Sequence, residues 1–196
     1  MLVFVSGGAR SGKSAVAEAA VRRAAGEKPA YYVATANVSD GEMAERVARH
    51  RRSRGEGWVT LEAPLALASA IAQVPGGGVG LIDCLTLWAS QVLYPPADSA
   101  RHPTPEQALA DLAACLEDAR RRGVALVIVS NDLNEALLPT GDASAETWRY
   151  VDFLQRAHRL VAGRADSVLE VVAGGCVEWK PESRAGSRPF QGDAKR

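Results

Sequence analysis

Gly7-Gly8-Ala9-Arg10-Ser11-Gly12-Lys13-Ser14 matches G-x-x-x-x-G-K-[ST], a phosphate-binding loop. The run before it, Leu2-Val3-Phe4-Val5-Ser6, is apolar and β-branched and reads as a buried strand. The run after it, Ala15-Val16-Ala17-Glu18-Ala19-Ala20-Val21, reads as a helix. Strand, glycine loop and helix together separate this match from a glycine-rich turn that holds no ligand. Glycine lets the backbone curl until successive N–H groups point inward at phosphate oxygens. A helix opening at Lys13 adds its unsatisfied N–H groups and the positive end of its dipole. In such a loop Lys13 reaches the β- and γ-phosphates, and the Ser14 hydroxyl ligates Mg2+.

Outward from the loop, short apolar strands alternate with helical patterns. Strands are expected at Ala30–Thr35, Trp58–Leu61, Val79–Asp83, Val124–Val129 and Val168–Val172, with Cys176–Trp179 returning as a hairpin from Gly174-Gly175. Helices are expected over Gly41–Arg52 behind an Asp40 cap, from Pro64 through Ile71, and over Leu85–Leu93, Glu106–Arg122 and Ala143–Ala162. Pro75-Gly76-Gly77-Gly78 and Tyr94–Thr104 read as loops. The expected fold is α/β, a P-loop NTPase-type (RecA-like) mostly parallel sheet with helices on both faces and a small C-terminal hairpin. Residues 1–180 form the nucleotide-binding and catalytic domain in this reading. Residues 181–196, charged and rich in Gly, Ser, Pro and Arg, form a poorly ordered tail.

The chain has 196 residues and a formal net charge of zero, so no global field draws it to nucleic acid or an anionic membrane. Its three cysteines, Cys84, Cys115 and Cys176, fit no metal spacing and read as structural, reduced thiols. No signal peptide or membrane span is legible, and the expected location is cytoplasmic.

Ligands of parallel α/β sheets bind beyond the carboxyl ends of the strands. That rule gathers the phosphate loop, Ala34-Thr35-Ala36, Asp83 and Ser130-Asn131-Asp132 on one edge. Asp83 ends an apolar strand, as a Mg2+-directed carboxylate does, or else caps the helix that follows. The Gly41–Arg52 helix carries Arg46, Arg49, His50, Arg51 and Arg52, with Arg54 beyond. Met43, Val47 and His50 share a face, and a histidine on an apolar stripe is more often packed than catalytic. The arginines around it suit a polyphosphate. His102 reads as exposed and His158 as surface or substrate-facing. Asp132, Arg149 and Tyr150 are candidates for a substrate cleft, and Trp88, Trp148 and Trp179 for core or interface.

Taken in order, these pieces resemble the bifunctional adenosylcobinamide kinase / adenosylcobinamide-phosphate guanylyltransferase family of cobalamin synthesis. The resemblance is carried by the loop, Tyr32-Val33-Ala34-Thr35-Ala36, Glu42–Val47 leading to His50, Trp58–Glu62, Asp83–Trp88, Val129-Ser130-Asn131 and Ala165-Asp166. It implies phosphorylation of adenosylcobinamide by a nucleoside triphosphate (ATP or GTP). It further implies transfer of GMP from GTP through a covalent guanylyl-histidine, with His50 as the nucleophile. The same mapping makes Gly7 to Ser14, Ala34, Thr35, Ala36, Arg51, Arg52, Ser53, Arg54, Glu62 and Asp83 nucleotide contacts, with Ser14 and Asp83 on Mg2+. Family members look like trimers, which would suit Leu85–Leu93 as an interface. The chain departs from the family at Asp132-Leu133-Asn134, where Glu-Val-Gly is usual, and at His158-Arg159, where Asn-Gln is usual. Other readings are a small-molecule kinase with a structural His50 and a nucleotide-dependent regulatory module. No N-K-x-D guanine signature supports the latter.

Overall fold

A computed structural model describes residues 1–36, 54–95, 102–132 and 144–180. The expected Gly41–Arg52 helix, His50, Arg51, Arg52, Ser53, Leu133-Asn134 and the tail lie outside the described residues. The strands are β1 (Leu2–Gly7), β2 (Ala30–Ala34), β3 (Trp58–Glu62), β4 (Val79–Asp83), β5 (Ala125–Asn131), β6 (Ser167–Val172) and β7 (Gly175–Lys180). The helices are α1 (Lys13–Ala25), α2 (Leu67–Ala72), α3 (Leu85–Leu93), α4 (Pro105–Arg121) and α5 (Ala145–Arg164).

The strands form one seven-stranded sheet in the order β3-β2-β4-β5-β1-β6-β7. All neighbours run parallel except β7, which pairs antiparallel with β6. Side chains alternate across β1: Val3 and Val5 meet Ala17, Ala20 and Val21 of α1, while Phe4 faces the other layer. That other layer holds α2 to α5 around Ile71, Trp88, Leu112 and Leu154. Both faces of the sheet are therefore covered, and its central strands are continuous apolar runs.

Local signals set most boundaries. Thr104 caps α4 in a reciprocal box with Gln107, with Pro105 in the first turn. Ser144 caps α5 through the Thr147 N–H at 3.2 Å. The second helix is shorter than expected and begins at Leu67, not Pro64. The Leu65 carbonyl is taken sideways by the Leu67 N–H (2.9 Å) and the Trp88 indole (3.3 Å), and Ala63 N–H still bonds Ala34. Arg122 reaches from the end of α4 to the carbonyls of Ile71 (3.0 Å), Ala72 (3.3 Å) and Val74, closing the C-terminus of α2.

Several expectations change here. The apolar stripe of α3 (Leu85, Trp88, Ala89, Val92, Leu93) is buried in this chain's own core, and Leu87 is the helix's exposed large apolar residue. Trp88 lies 5.5 Å from the Phe153 ring, whereas Trp148 and Trp179 are exposed. His102 is half-buried, its Nε2 3.0 Å from the Val92 carbonyl. Cys115 is buried as expected of a structural thiol, but Cys176 is exposed. The hairpin turns at Ala173-Gly174 (φ 48° and 82°), one residue before the expected glycine pair, in the two-residue form that suits a twisted ladder.

Candidate active site

The carboxyl ends of β1, β2, β4 and β5 lie side by side on one edge of the sheet. The phosphate loop leaves β1 there. Gly7 is wedged against β6: a Cβ at this position would strike the Val171 carbonyl oxygen and come within 2.7 Å of Ser11 Oγ. The loop then folds on itself, with Ser11 N–H donating to Gly8 (3.2 Å) and Lys13 Nζ to the same carbonyl (3.0 Å). Arg10 is left-handed at φ 61°, a costly conformation for a side chain of that size. Gly12 is left-handed too, at φ 95°, and delivers the chain into α1. No side chain caps α1, and no acidic residue sits in its first turn. Its orphan N–H groups and positive dipole end therefore stay open to an anion. Ser14 stands half-buried in that first turn.

A second brace comes from the hairpin. The Gly174 N–H donates to the Ser11 carbonyl at 2.9 Å, and a Cβ on Gly12 would lie 3.8 Å from Gly174 Cα. On the other flank, Asp132 N–H donates to the Gly7 carbonyl at 3.0 Å. The loop is thus held from β5, β6 and the β6–β7 turn. The Ser11 hydroxyl is buried without a hydrogen-bond partner among the described residues. A buried hydroxyl in that state costs free energy unless a ligand or water meets it.

Asp83 ends β4, separated from β1 by β5. It is not the cap of α3; that position belongs to Cys84. Instead the Tyr32 hydroxyl donates to Asp83 Oδ2 at 3.0 Å. The backbone beside Asp83 is clamped by Thr35, which is fully buried. Its hydroxyl accepts from Cys84 N–H (2.7 Å) and donates to the Cys84 carbonyl (2.8 Å), while Thr35 N–H donates to the Asp83 carbonyl (3.2 Å). Burial and then the neighbouring Asp83 charge raise the Tyr32 phenol and the Cys84 thiol above their usual ranges, so both stay protonated. Ala34 and Ala36 flank Thr35 and are half-buried; Glu62 is exposed at the end of β3, in register with Ala34.

Arg54 is 3% exposed. Its guanidinium lies 3.3 Å from the centre of the Tyr32 ring, and Arg22 donates to its carbonyl. Its Nη1 is buried without a partner among the described residues.

Residues 3–179 of the chain match the family described as cobinamide kinase / cobinamide phosphate guanyltransferase. The chain belongs to this family. It is 39% identical to the bifunctional adenosylcobalamin biosynthesis protein CobP of Pseudomonas aeruginosa, over 87% of this chain and 92% of that one. It is 30% identical to CobU of Escherichia coli, described in the same words, over 89% of this chain and 97% of that one. Among solved structures, a KaiC-like protein of Pyrococcus horikoshii matches with a TM-score of 0.50 at 12% identity, covering 97% of this chain and 84% of the other. That likeness bears on the fold alone and agrees with the P-loop NTPase architecture expected from the sequence.

Within this frame the structure brings together the loop, Asp83, Thr35 and Arg54's neighbour Tyr32. Arg149 is exposed, and Tyr150 turns its hydroxyl to the Thr86 carbonyl at 3.2 Å. His158 is half-buried. Its Nε2 lies 2.7 Å from Ser130 Oγ and its ring 5.3 Å from Phe4. Burial lowers its pKa to about 4, against an opposing pull from Asp132. Sequence reading missed the Tyr32–Asp83 contact, because the register that pairs Tyr32 with Leu81 and Ala34 with Asp83, leaving Asp83 one step along the same face, is a tertiary fact. The burial of His158 did have a signal: it falls at core spacing with Val151, Leu154 and Val161 on α5.

Proposed function

We propose that this chain phosphorylates adenosylcobinamide with ATP or GTP and then transfers GMP from GTP to the product, giving adenosylcobinamide-GDP. The observation that carries the reading is a strained, triply braced phosphate loop opening onto an uncapped helix N-terminus, on the sheet edge that also ends in Asp83. Family membership names the acceptor.

In the first reaction the hydroxyl of the aminopropanol arm attacks the γ-phosphorus, a new P–O bond forms as the bond to the β–γ bridging oxygen breaks, the nucleoside diphosphate leaves, and the hydroxyl proton passes to solvent. Lys13, the loop N–H groups other than that of Ser11, and the α1 dipole hold the phosphates. In the second, an imidazole nitrogen of His50 attacks the α-phosphorus of GTP. A P–N bond forms and pyrophosphate leaves. A phosphate oxygen of adenosylcobinamide phosphate then displaces the imidazole, which restores His50. A neutral imidazole is a competent nucleophile near neutral pH, and splitting the transfer in two predicts ping-pong kinetics. Ala34, Thr35, Ala36, Arg51, Arg52, Ser53, Arg54 and Glu62 are the proposed guanine-nucleotide contacts. For Thr35 the contact would be through its carbonyl, since its hydroxyl is spent on Cys84 and its N–H on Asp83.

Ser14 and Asp83 would hold Mg2+. Among the described residues no cluster of His, Cys, Asp or Glu forms a closed metal cage, and a two-residue donor set suits an ion that keeps its waters and takes phosphate oxygens. When bound, Mg2+ neutralises charge on the phosphates. A cytoplasmic homotrimer is the proposed state of the enzyme.

The test is incubation with Mg2+ and GTP labelled on the α-phosphate, then denaturation and counting of protein-bound label. Acid-labile, base-stable label that is absent in His50→Asn is the expected result. Intact GTP binding with no label would leave a kinase with a structural His50.

A further inference from the structure

The second strand places one aromatic side chain between two groups that the proposed reactions use separately. Tyr32 donates from its hydroxyl to Asp83 Oδ2 at 3.0 Å, and the face of its ring carries the Arg54 guanidinium at 3.3 Å. Arg54 lies four residues beyond His50 in the chain. The ring itself is fixed from the side: Trp58 meets it edge-on at 6.3 Å, Arg22 covers Trp58 at 5.6 Å, and Arg22 also donates to the Arg54 carbonyl. Tyr32 is 8% exposed, so neither of its two contacts is interrupted by solvent.

We propose that Tyr32 is a positioning residue that sets the Asp83 carboxylate with its hydroxyl and the Arg54 end of the His50-bearing segment with its ring. The two functions sit on different atoms, so they separate by mutation. Tyr32 takes Oδ2, and Oδ1 is the oxygen assigned to the cation. A hydrogen bond to one oxygen of a ligating carboxylate fixes the direction of the other. On the ring side, a guanidinium stacked on an aromatic face keeps its edge N–H groups for other acceptors. The unpartnered Nη1 of Arg54 is such a donor. The roles of Asp83 and Arg54 toward Mg2+ and GTP rest on the function proposed above.

Full-length Tyr32→Phe and Tyr32→Leu test this. Each is compared with the wild-type chain by calorimetric titration of GTP with and without Mg2+, and by the rate of labelling from α-labelled GTP. Tyr32→Phe keeps the ring and loses the bond to Asp83. Its GTP affinity without Mg2+ is expected to stay unchanged, while the Mg2+ concentration needed for half-maximal effect rises about tenfold or more. Tyr32→Leu loses both contacts. At saturating Mg2+ its labelling rate is expected to fall about tenfold below that of Tyr32→Phe. An unchanged Mg2+ requirement in Tyr32→Phe, or equal labelling rates in the two variants, overturns the proposal. Tyr32→Met replaces Tyr32→Leu if the latter does not fold. A wild-type chain that takes no label sinks the guanylyl-histidine reading instead. The Mg2+ titration then still decides the hydroxyl's role, and a loss of Mg2+-free GTP affinity confined to Tyr32→Leu decides the ring's.

Discussion

At the scale of single residues, the phosphate loop works because it has no room for anything larger. Gly7 passes so close to β6 that a methyl group would collide with a backbone carbonyl, which cannot swing away as a side chain can. Gly7→Ala is therefore expected to destabilise the chain by about 1–3 kcal/mol, the usual cost of overpacking, and to weaken nucleotide binding as the loop shifts. Chemical denaturation and GTP titration of the same variant check both effects; a neutral Gly7→Ala would mean the loop relaxes freely. Arg10 is the converse case, a bulky residue kept in the left-handed region by a loop braced on three sides. Lys13 needs no such brace, because a flexible stem lets its ammonium follow the charge it serves.

At the scale of elements, the site is assembled by strand ends that clamp one another. The end of β2 holds the end of β4 through Thr35, whose one hydroxyl satisfies both the N–H and the carbonyl of Cys84. Thr35→Val keeps the shape and leaves both backbone groups buried without that partner. A loss of about 1–3 kcal/mol in unfolding free energy is expected, with a raised Mg2+ requirement because Asp83 is then held less firmly. A Thr35→Val variant as stable as wild type would show that water replaces the hydroxyl. The β6–β7 turn contributes from the opposite flank through Gly174 and Ser11. Strand positions and the start of α4, expected at Glu106 and found at Pro105, were legible because apolar runs act within a few neighbours, whereas α5, expected from Ala143, begins at Ala145 behind the Ser144 cap. The start of α2 was not legible, because Trp88, distant in sequence, claims the Leu65 carbonyl.

At the scale of the whole molecule, the half-buried His158, bonded to the buried Ser130, ties α5 to the sheet and gives folding a pH dependence. The folded histidine has a pKa of about 4 against an ordinary 6.5, so the unfolded chain binds the proton first as pH falls. Stability is expected to be full above pH 6.5 and to decline from there toward pH 4, by up to about 3 kcal/mol. Denaturation midpoints across that range check it, and His158→Asn should flatten the histidine's share of the slope. The sequence by itself determined the loop, the parallel α/β class, the sheet edge at which the strand ends gather and the family, since these follow from local periodicity and from motifs in order. Only the tertiary structure decided that Tyr32 reaches Asp83, that Arg54 lies on its ring, that Thr35 clamps Cys84 and that His158 meets Ser130. Those contacts join residues far apart along the chain (Tyr32 and Asp83 by 51 positions, Ser130 and His158 by 28), and strand register and helix packing set such distances rather than the spacing of letters.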